Sequence, residues 1–318
     1  MRLMIIAAMT LTDPTTIDGA APLAHWGLLR ADGAEAARFL HGQLTQDIEH
    51  LDAGSARLAG YCSAKGRLLA SFVVWRPHPE TVFLACTADV LPAALKRLSM
   101  FLLRAKCKLT DASGDWRLLG VAGRTAAAAL GDALPRAPWQ RTALGEDSVI
   151  RLPDAAGVPR ALWVQAAAQP VPALPALPLA QWQWLEVASG VVQIVGATVE
   201  QFVPQMVNLE LVGGVNFQKG CYPGQEVVAR SQYRGTLKRR AFLYRSDRPA
   251  QAGQEVYAAD DASQPAGMVA NAASVDGLGH LALVEVRLAA LDQPLQLGAP
   301  GGPALQPVAM PYPVVDAA

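Results

Sequence analysis

The first hundred residues contain short apolar segments with two different periods, which together predict a unit of sheet and helices. Alternation of apolar and polar residues predicts strands, and apolar residues three or four positions apart predict helices. The predicted strands are residues 24–30, 57–62, 68–75, 81–86 and 105–110, and the predicted helices are residues 32–41 and 89–104. Asp32 and Asp89 begin the two helices as N-cap residues. This β-α-β-β-β-α-β order indicates an α+β architecture.

The same mixture continues to about residue 237 and then changes to strands alone. Strands are predicted at residues 116–121, 148–152 and 161–165, and helices at residues 124–130 and 179–189. The later predicted strands, residues 240–244, 254–258, 267–272 and 280–286, are separated by glycine and proline turns, which indicates a small β-barrel. The sequence therefore predicts an α+β fold of three parts: an N-terminal module (1–110), a second α+β module (111–237) and a C-terminal barrel (238–318).

The balanced charge of the chain argues against partners that are recognised mainly by their overall charge. Its 318 residues include 27 Lys and Arg and 27 Asp and Glu, so the formal net charge is zero. No global field then draws the protein to nucleic acid or to an anionic membrane. No run of eighteen apolar residues is present, so no membrane span is expected. The short apolar run at residues 1–9 only superficially resembles a signal peptide.

The cysteines and histidines do not form a recognisable metal motif. Four cysteines lie far apart, with no C-x-x-C pair: Cys62, Cys86, Cys107 and Cys221. This spacing argues against a preformed zinc or iron–sulfur site and against a disulfide framework. The five histidines are scattered, so no resident metal is expected. Reduced thiols indicate a cytoplasmic protein.

The densest cluster of reactive residue types is the segment Lys219-Gly220-Cys221-Tyr222-Pro223-Gly224-Gln225-Glu226, followed by Arg230. A proline–glycine pair marks a turn, and residues 225–232 predict a short helix. Cys221 then lies just before a helix N-terminus, where the helix dipole favours the thiolate, as do Lys219 and Arg230. The alternative is a structural cysteine packed beside a turn.

This segment resembles the signature of the YgfZ family, the folate-binding relatives of the glycine-cleavage T-protein. The family pattern K-G-C-Y-x-G-Q-E-x-x-x-R is matched at every fixed position. Three earlier segments resemble further family signatures: FLHGQLTQD at residues 39–47, CSAKGR at residues 62–67, and QFVPQMVNL with GGV at residues 201–215. Four motifs in order along the chain make this resemblance specific.

The resemblance implies T-protein-like modules around a central folate pocket, with Trp26 and Trp182 in contact with tetrahydrofolate or a related folate. An indole ring stacks well on a flat pterin, and its N–H can orient the ligand. Trp184 competes with Trp182 for this role, and the alternative is that each tryptophan only fills the core. Four more residues are expected to bind the cofactor: Lys65, Arg67, Gln205 and Asn208. The two cations lie in a hairpin turn and suit a glutamate tail or a phosphate, although an ordinary solvated turn is the alternative.

The resemblance also identifies two carboxylates that this chain lacks. The catalytic aspartate of the T-protein corresponds to the segment of residues 69–72, which is Leu-Ala-Ser-Phe. The pterin-binding glutamate of the T-protein corresponds to residues 187–190, which are Val-Ala-Ser-Gly. Without those acids a folate nitrogen has no evident general base, so aminomethyl transfer is disfavoured.

The function implied by the resemblance is a tetrahydrofolate-dependent role in assembling or repairing iron–sulfur clusters, reflected in tRNA thiolation by iron–sulfur enzymes. Cys221 is the expected working thiol, as a transient cluster ligand or redox partner. Lys219 and Arg230 would hold its thiolate, and Glu226 would pair with one of these cations or cap the helix. We do not expect a classical enzyme. The alternative is a folate-dependent aminomethyltransferase or demethylase of the T-protein type.

A run of cations borders the Cys221 segment. Its members are Arg230, Arg234, Lys238, Arg239, Arg240, Arg245 and Arg248, and Arg104, Lys106 and Lys108 on one face of a predicted strand would extend it. Such a run could bind tRNA or an acidic protein, including iron–sulfur assembly proteins or client enzymes. The alternative is that these cations are the solvated faces of strands and helices.

Overall fold

A computed structural model of the protein describes residues 13–233, 237–261 and 263–314, and in them the strands form two open sheets and one closed barrel. The strands are β1 (Gly19–Pro22), β2 (Trp26–Asp32), β3 (Ala56–Cys62), β4 (Leu68–His78), β5 (Thr81–Thr87), β6 (Lys108–Asp111), β7 (Trp116–Ala122), β8 (Arg141–Leu144), β9 (Asp147–Ala155), β10 (Val158–Ala166), β11 (Arg239–Ser246), β12 (Glu255–Ala258), β13 (Gly267–Val275), β14 (Gly279–Arg287), β15 (Leu295–Leu297) and β16 (Ala304–Val308). The α-helices are α1 (Ala36–His41), α2 (Leu91–Met100), α3 (Arg124–Leu130), α4 (Leu179–Ala188) and α5 (Gln225–Tyr233). The predicted α+β class is confirmed. The predictions about residues 1–9 and Arg234 lie outside the described residues.

The N-terminal sheet is antiparallel and has the order β3-β4-β5-β2-β6. Side chains of successive residues in a strand point to opposite faces of the sheet, so neighbours in one strand pack into different cores. Leu29 and Val74 belong to the core beneath α1 and α2, whereas their neighbours Leu28 and Val73 belong to the large central core. Both faces of this sheet are therefore buried.

The second sheet has the order β1-β7-β10-β9-β8 and shares the central core with the first. Strand β1 precedes the first sheet in the chain but pairs with β7. Leu162 of this sheet, Leu185 of α4 and Leu28 of the first sheet all belong to the same cluster of buried residues. Helix α4 is consequently buried between layers. The boundaries proposed at residues 110 and 237 stay a prediction.

The last six strands close into a barrel in the order β11-β14-β13-β12-β15-β16. Four of them match the predicted strands, and β15 and β16 were not predicted. The barrel has its own apolar core, which includes Val256, Val284 and Leu295. No helix in the described ranges is long and apolar enough to cross a membrane.

Two predicted helix starts are corrected by the structure. Helix α1 begins at Ala36, and Asp32 instead ends β2, where it pairs with Arg30 at 2.8 Å. Asp89 does not cap α2, because its Oδ2 accepts a hydrogen bond of 2.6 Å from the backbone N–H of Gly196.

The predicted second helix and the strand after it are also shorter than expected. Helix α2 ends at Met100, and Leu103 has a left-handed φ of 28°, which is incompatible with continuing the helix. Strand β6 begins only at Lys108. Arg104 and Lys106 therefore lie in the connecting loop, and their predicted alternation on a strand face is wrong.

Candidate functional site

The turn between β3 and β4 packs against the start of α5 through two glycines. Gly66 and Gly224 have φ angles of +70° and +78°, a conformation that favours glycine. A Cβ on Gly224 would lie 2.6 Å from the Cα of Gly66, and one on Gly66 would lie 2.8 Å from the Cβ of Val227. The backbones can approach this closely only without side chains. Two of the signature segments are therefore held in direct contact.

Lys219 anchors its loop to the end of α1. Its ammonium group donates hydrogen bonds to the carbonyl oxygens of His41 and Leu44, the latter at 2.7 Å. Burial lowers the pKa of Lys219 to about 8, and the nearby charges of Asp47 and Cys221 oppose that shift. Lys219 thus remains mostly protonated at neutral pH and ties its own signature segment to the one that contains His41 and Leu44.

Cys221 is exposed on this anchored loop. Helix α5 begins at Gln225 and ends one residue later than predicted. On its surface Glu226 pairs with Arg230 at 3.4 Å, as predicted for Glu226. Because these two side chains are 87% and 72% exposed, the pair contributes little to stability.

Gln205 and Asn208, expected to bind the cofactor, hold the segment of residues 201–215 in place. Both side chains are fully buried. Gln205 donates a 2.8 Å hydrogen bond to the carbonyl of Val228 in α5, and Asn208 donates a 2.7 Å bond to that of Ala241 in β11. Neither residue lines a described cavity. Their observed contacts tie this segment to α5 and β11, and folate contact by these two residues stays a prediction.

A second centre forms around the carboxylate of Glu186 in α4, which is only 7% exposed. Its Oε1 accepts hydrogen bonds from the indole N–H groups of Trp26 at 2.8 Å and Trp182 at 2.7 Å. Its Oε2 lies 2.9 Å from Nε2 of His25. A carboxylate offers about four acceptor positions, so these three partners leave one position on Oε2 for a ligand.

Glu186 lies where a narrow cavity joins a wider cleft. The cavity, of about 40 Å³, lies between the two sheets and α4, and Trp26 and Ser71 line it. The cleft, of about 430 Å³, has the size of a small-molecule site. Both are lined by Thr87, Glu186, Val191 and Gln193. A ligand in the cleft can therefore reach the carboxylate from its open side.

Arg160 supplies a buried cation to the same cavity. Its Nε and Nη2 donate to the carbonyl of Pro153 at 3.1 and 2.9 Å, and its guanidinium lies 5.4 Å from the ring centroid of Trp182. Burial lowers the pKa of Arg160 to about 10, partly offset by the charge of Glu186, so it stays charged at neutral pH. Its Nη1 makes no hydrogen bond within the described ranges and can donate to a ligand.

The structure places the predicted folate tryptophans differently from each other. Trp26 is partly buried and lines the cavity. Trp182 is fully buried, lies against Gly120 and supports both Glu186 and Arg160. Trp182 is thus packed in the core in this structure, and its contact with folate stays a prediction. Its competitor Trp184 is buried as well.

Lys65 and Arg67 lie away from this cavity. Lys65 is exposed in the turn. Arg67 donates to the carbonyl of Gln201 and lines a separate cleft of about 310 Å³ with Arg239. Neither cation lines the Glu186 cavity or the wider cleft, and their role at a folate tail stays a prediction.

Sequence reasoning missed Glu186, Arg160 and His25. The sequence predicts that residues 187–190 lack the pterin-binding glutamate of the T-protein; Glu186, four residues before Gly190, does line the cavity. One signal was present in the sequence. Glu186 is the only acidic residue in a helix whose other residues are apolar or neutral, and an acid on such a helix indicates a partnered or functional group.

The cavity and the Cys221 loop lie at different positions along β3 and β4. Ser71 lines the cavity, and Gly66 contacts the loop. From the start of β4 at Leu68 to Ser71 the strand rises roughly 10 Å at about 3.3 Å per residue, and the turn that contains Gly66 lies beyond that start. The two centres share one hairpin but do not form one pocket.

Part of the cationic run is occupied by internal ion pairs. Arg239 pairs with Glu285, and the buried Arg240 pairs with Glu210. Lys238 and Arg248 remain exposed. In the described ranges no three His, Cys, Asp or Glu side chains gather in a way that could hold a metal ion.

Comparison with known proteins adds four similarities. The GCVT N-terminal domain family matches residues 19–161. The chain is 33% identical over 245 residues to the tRNA-modifying protein YgfZ of Sodalis glossinidius (strain morsitans), which covers 74% of each chain. It is 35% identical over 234 residues to the protein of the same name from Edwardsiella ictaluri (strain 93-146), with 69% of each chain covered. The fold is similar to the crystal structure of glycine cleavage system aminomethyltransferase T from Bartonella henselae, with a TM-score of 0.73, 18% identity, and 94% of this chain and 87% of that chain covered.

Proposed function

The chain belongs to the YgfZ family, and from this membership we propose that it binds a tetrahydrofolate and supports the assembly or repair of iron–sulfur clusters. The relatives are named as tRNA-modifying proteins. We propose that this chain acts on tRNA modification indirectly, through the iron–sulfur enzymes that thiolate tRNA. Its partners would then be cluster assembly proteins or client enzymes in the cytoplasm.

The observation that carries the folate proposal is the spare acceptor position of Glu186 beside the spare donor of Arg160. A reduced pterin presents ring N–H and amino donors next to a carbonyl oxygen. Glu186 would accept from one of those donors, and Nη1 of Arg160 would donate to the carbonyl. Trp26 would contact the ring from the cavity wall. The remaining cleft provides room for the rest of the ligand.

Cys221 is the proposed working thiol because it is the exposed cysteine of the four. Burial raises the pKa of both Cys62 and Cys86 to about 12, so these thiols stay protonated at neutral pH. The anchored loop presents Cys221 at the surface, where a cluster or another thiol can reach it. We propose that it serves as a transient cluster ligand or as a redox partner.

Aminomethyl transfer is the second candidate function, and Glu186 is the observation in its favour. A carboxylate does line the cavity, although none was expected there from the sequence. It already accepts two indole hydrogen bonds and contacts His25, so it is better placed to orient a ligand than to remove a proton. Ser71 lines the cavity within the segment where an acid would be needed, and its Oγ accepts the N–H of Ile194. Folate binding without transfer is therefore preferred.

Calorimetric titration with tetrahydrofolate tests the folate proposal. We expect one site per chain and a loss of affinity of about tenfold or more in Glu186→Gln, since a charge-assisted hydrogen bond is lost. Glu200→Gln, which changes an exposed acid, is the matched control and should bind normally. Absence of binding to the unaltered protein would reject the proposal.

A glycine-cleavage assay separates the two candidate functions. The protein should release no ammonia from an aminomethyl donor in the presence of tetrahydrofolate. Turnover comparable to that of a T-protein, abolished by Glu186→Gln, would establish aminomethyl transfer instead.

A further inference from the structure

The charges that line the cleft beyond Glu186 are acidic. Among the described residues around it are the carboxylates of Asp89 and Glu186, the imidazole of His25, which pairs with Glu186, and the amides of Gln183, Gln193 and Asn271, and no lysine or arginine. This is the opposite of what an anionic folate tail requires. Such tails extend by γ-linked glutamate residues, and each added residue brings one more carboxylate.

Asp89 is fixed in position at the rim of this cleft. Its Oδ2 accepts the 2.6 Å hydrogen bond from Gly196, which leaves Oδ1 directed away from that bond. The negative charge of Asp89 also acts on the cavity wall. Burial is the main cause of the raised pKa of Cys86 in that wall, and Asp89 raises the same pKa further. An anion entering the cleft would meet this field as well as that of Glu186.

The cations expected at a folate tail are elsewhere. Arg67 and Arg239 line the separate cleft beside the barrel, and Arg239 is already paired with Glu285. The buried cation Arg160 lines the narrow cavity but not the wider cleft. A tail leaving the cavity through the cleft therefore finds no arginine or lysine partner among the described lining residues.

From this charge distribution we infer that the site selects short-tailed folates, such as monoglutamates or pterins without a tail, over polyglutamates. The inference rests on the proposed folate function and adds the class of folate. Each extra carboxylate adds to the repulsion by Asp89 at the rim and, more weakly, by Glu186 further inside, both partly screened by solvent. The repulsion should weaken with added salt, whereas contacts of the pterin ring should not.

Titration of the full chain with tetrahydropteroyl monoglutamate and triglutamate tests this selectivity. At about 25 mM salt the triglutamate should bind roughly three- to tenfold more weakly, and the two affinities should converge at about 0.5 M salt, where the Debye length falls to a few ångströms. Asp89→Asn keeps an oxygen for the Gly196 bond and should improve triglutamate binding more than monoglutamate binding, because the triglutamate carries more carboxylates. Asp115→Asn, at an exposed acid outside the cleft lining, is the control and should change neither.

Gln183→Lys provides a second test that does not alter the Gly196 contact. A cation on the cleft wall should strengthen triglutamate binding several-fold and monoglutamate binding by less, because the monoglutamate carries fewer carboxylates. Triglutamate binding that is several-fold tighter than monoglutamate binding in the unaltered protein would overturn the inference while leaving the folate proposal standing. Failure of both ligands to bind would reject the folate proposal and the inference with it.

Discussion

Solvent exposure distinguishes Cys221 from the other three cysteines at the scale of single residues. Burial raises the pKa of the Cys62 and Cys86 thiols to about 12 and that of Cys107 to about 11. A thiol reacts as its thiolate, so these three are poor nucleophiles at neutral pH. Cys221 is exposed, so a reagent in solution can reach it.

Alkylation with iodoacetamide at pH 7.5 should therefore modify Cys221 first. We expect the other three cysteines to react at least about a hundredfold more slowly until the protein is unfolded, because the thiolate fraction falls tenfold per pKa unit. Peptide mapping by mass spectrometry gives the rate at each position, and Cys221→Ser should remove the fast phase. A fast phase located at any of the other three would contradict this assignment.

The buried ammonium group of Lys219 should make the free energy of unfolding depend on pH. Its pKa is about 8 in the folded protein and near 10.5 when unfolded, so between these values the unfolded chain binds more protons. The contribution of Lys219 to stability therefore rises as the pH increases from 8 towards 10. The free energy of unfolding of the unaltered protein minus that of Lys219→Met, measured in urea from pH 7 to 10, should increase over this range. A constant or falling difference would contradict the buried position of the ammonium.

The residues of the two centres differ in how far the sequence predicts them. Cys221, Lys219 and Glu226 lie in one unusual local segment, so their proximity follows from spacing alone. Glu186 meets His25 and Trp26 from positions 161 and 160 residues away in the chain. Such a long-range meeting leaves no local pattern, and only the isolated acid in an apolar helix indicates it.

At the scale of elements, the contact between the β3–β4 turn and the start of α5 depends on glycine. Gly224→Ala should cost about 3 kcal/mol, about 1 kcal/mol from the left-handed backbone and the rest from displacing Gly66. Gly301 has a similar φ of +80°, and no heavy atom lies within 4 Å of the position that a Cβ would take there, so Gly301→Ala is the matched control. It should cost only about 1 kcal/mol. If urea denaturation gave the same loss in the free energy of unfolding for both variants, the close contact between Gly224 and Gly66 would not require glycine.

The longer elements are predictable from apolar periodicity, and several of the shorter ones are not. Strands β3, β4, β5 and β7 lie within three residues of their predicted bounds. Strands β1, β8 and β15 have four residues or fewer, too short to show a period. Helix α2 was predicted too long because leucine spacing continues past Met100, whereas the backbone turns at Leu103. The backbone conformation at Leu103 therefore ends α2 earlier than the leucine spacing predicts.

At the scale of the whole molecule, the barrel completes the cleft. Asn271 of β13 accepts a 2.9 Å hydrogen bond from the N–H of Gln193 and donates a 2.8 Å bond to its carbonyl. Both residues line the cleft, so this pair joins the barrel to the wall of the proposed ligand site. The sequence predicts a barrel here but not which of its faces meets the rest of the molecule.

Asn271→Ala should accordingly reduce both stability and folate affinity. Loss of two hydrogen bonds that leaves backbone groups partly buried costs about 2 kcal/mol. Ser274 lies on the same strand, and its hydroxyl bonds to His280, so Ser274→Ala is the control and should leave both quantities unchanged. Thermal unfolding and calorimetric titration measure the two effects. Unaltered folate affinity in Asn271→Ala would show that the barrel does not shape the site.

The most direct test of the central claim is rescue of iron–sulfur enzyme activity in cells that lack the protein. We propose folate binding at the Glu186 cavity and a working thiol at Cys221; the β3–β4 hairpin touches both, through Ser71 at the cavity and Gly66 at the start of α5. Cys221→Ser should fold, bind tetrahydrofolate with unaltered affinity and fail to rescue, whereas Cys107→Ser should rescue fully. Full rescue by Cys221→Ser, at the same protein level as the unaltered chain, would contradict the assignment of the working thiol.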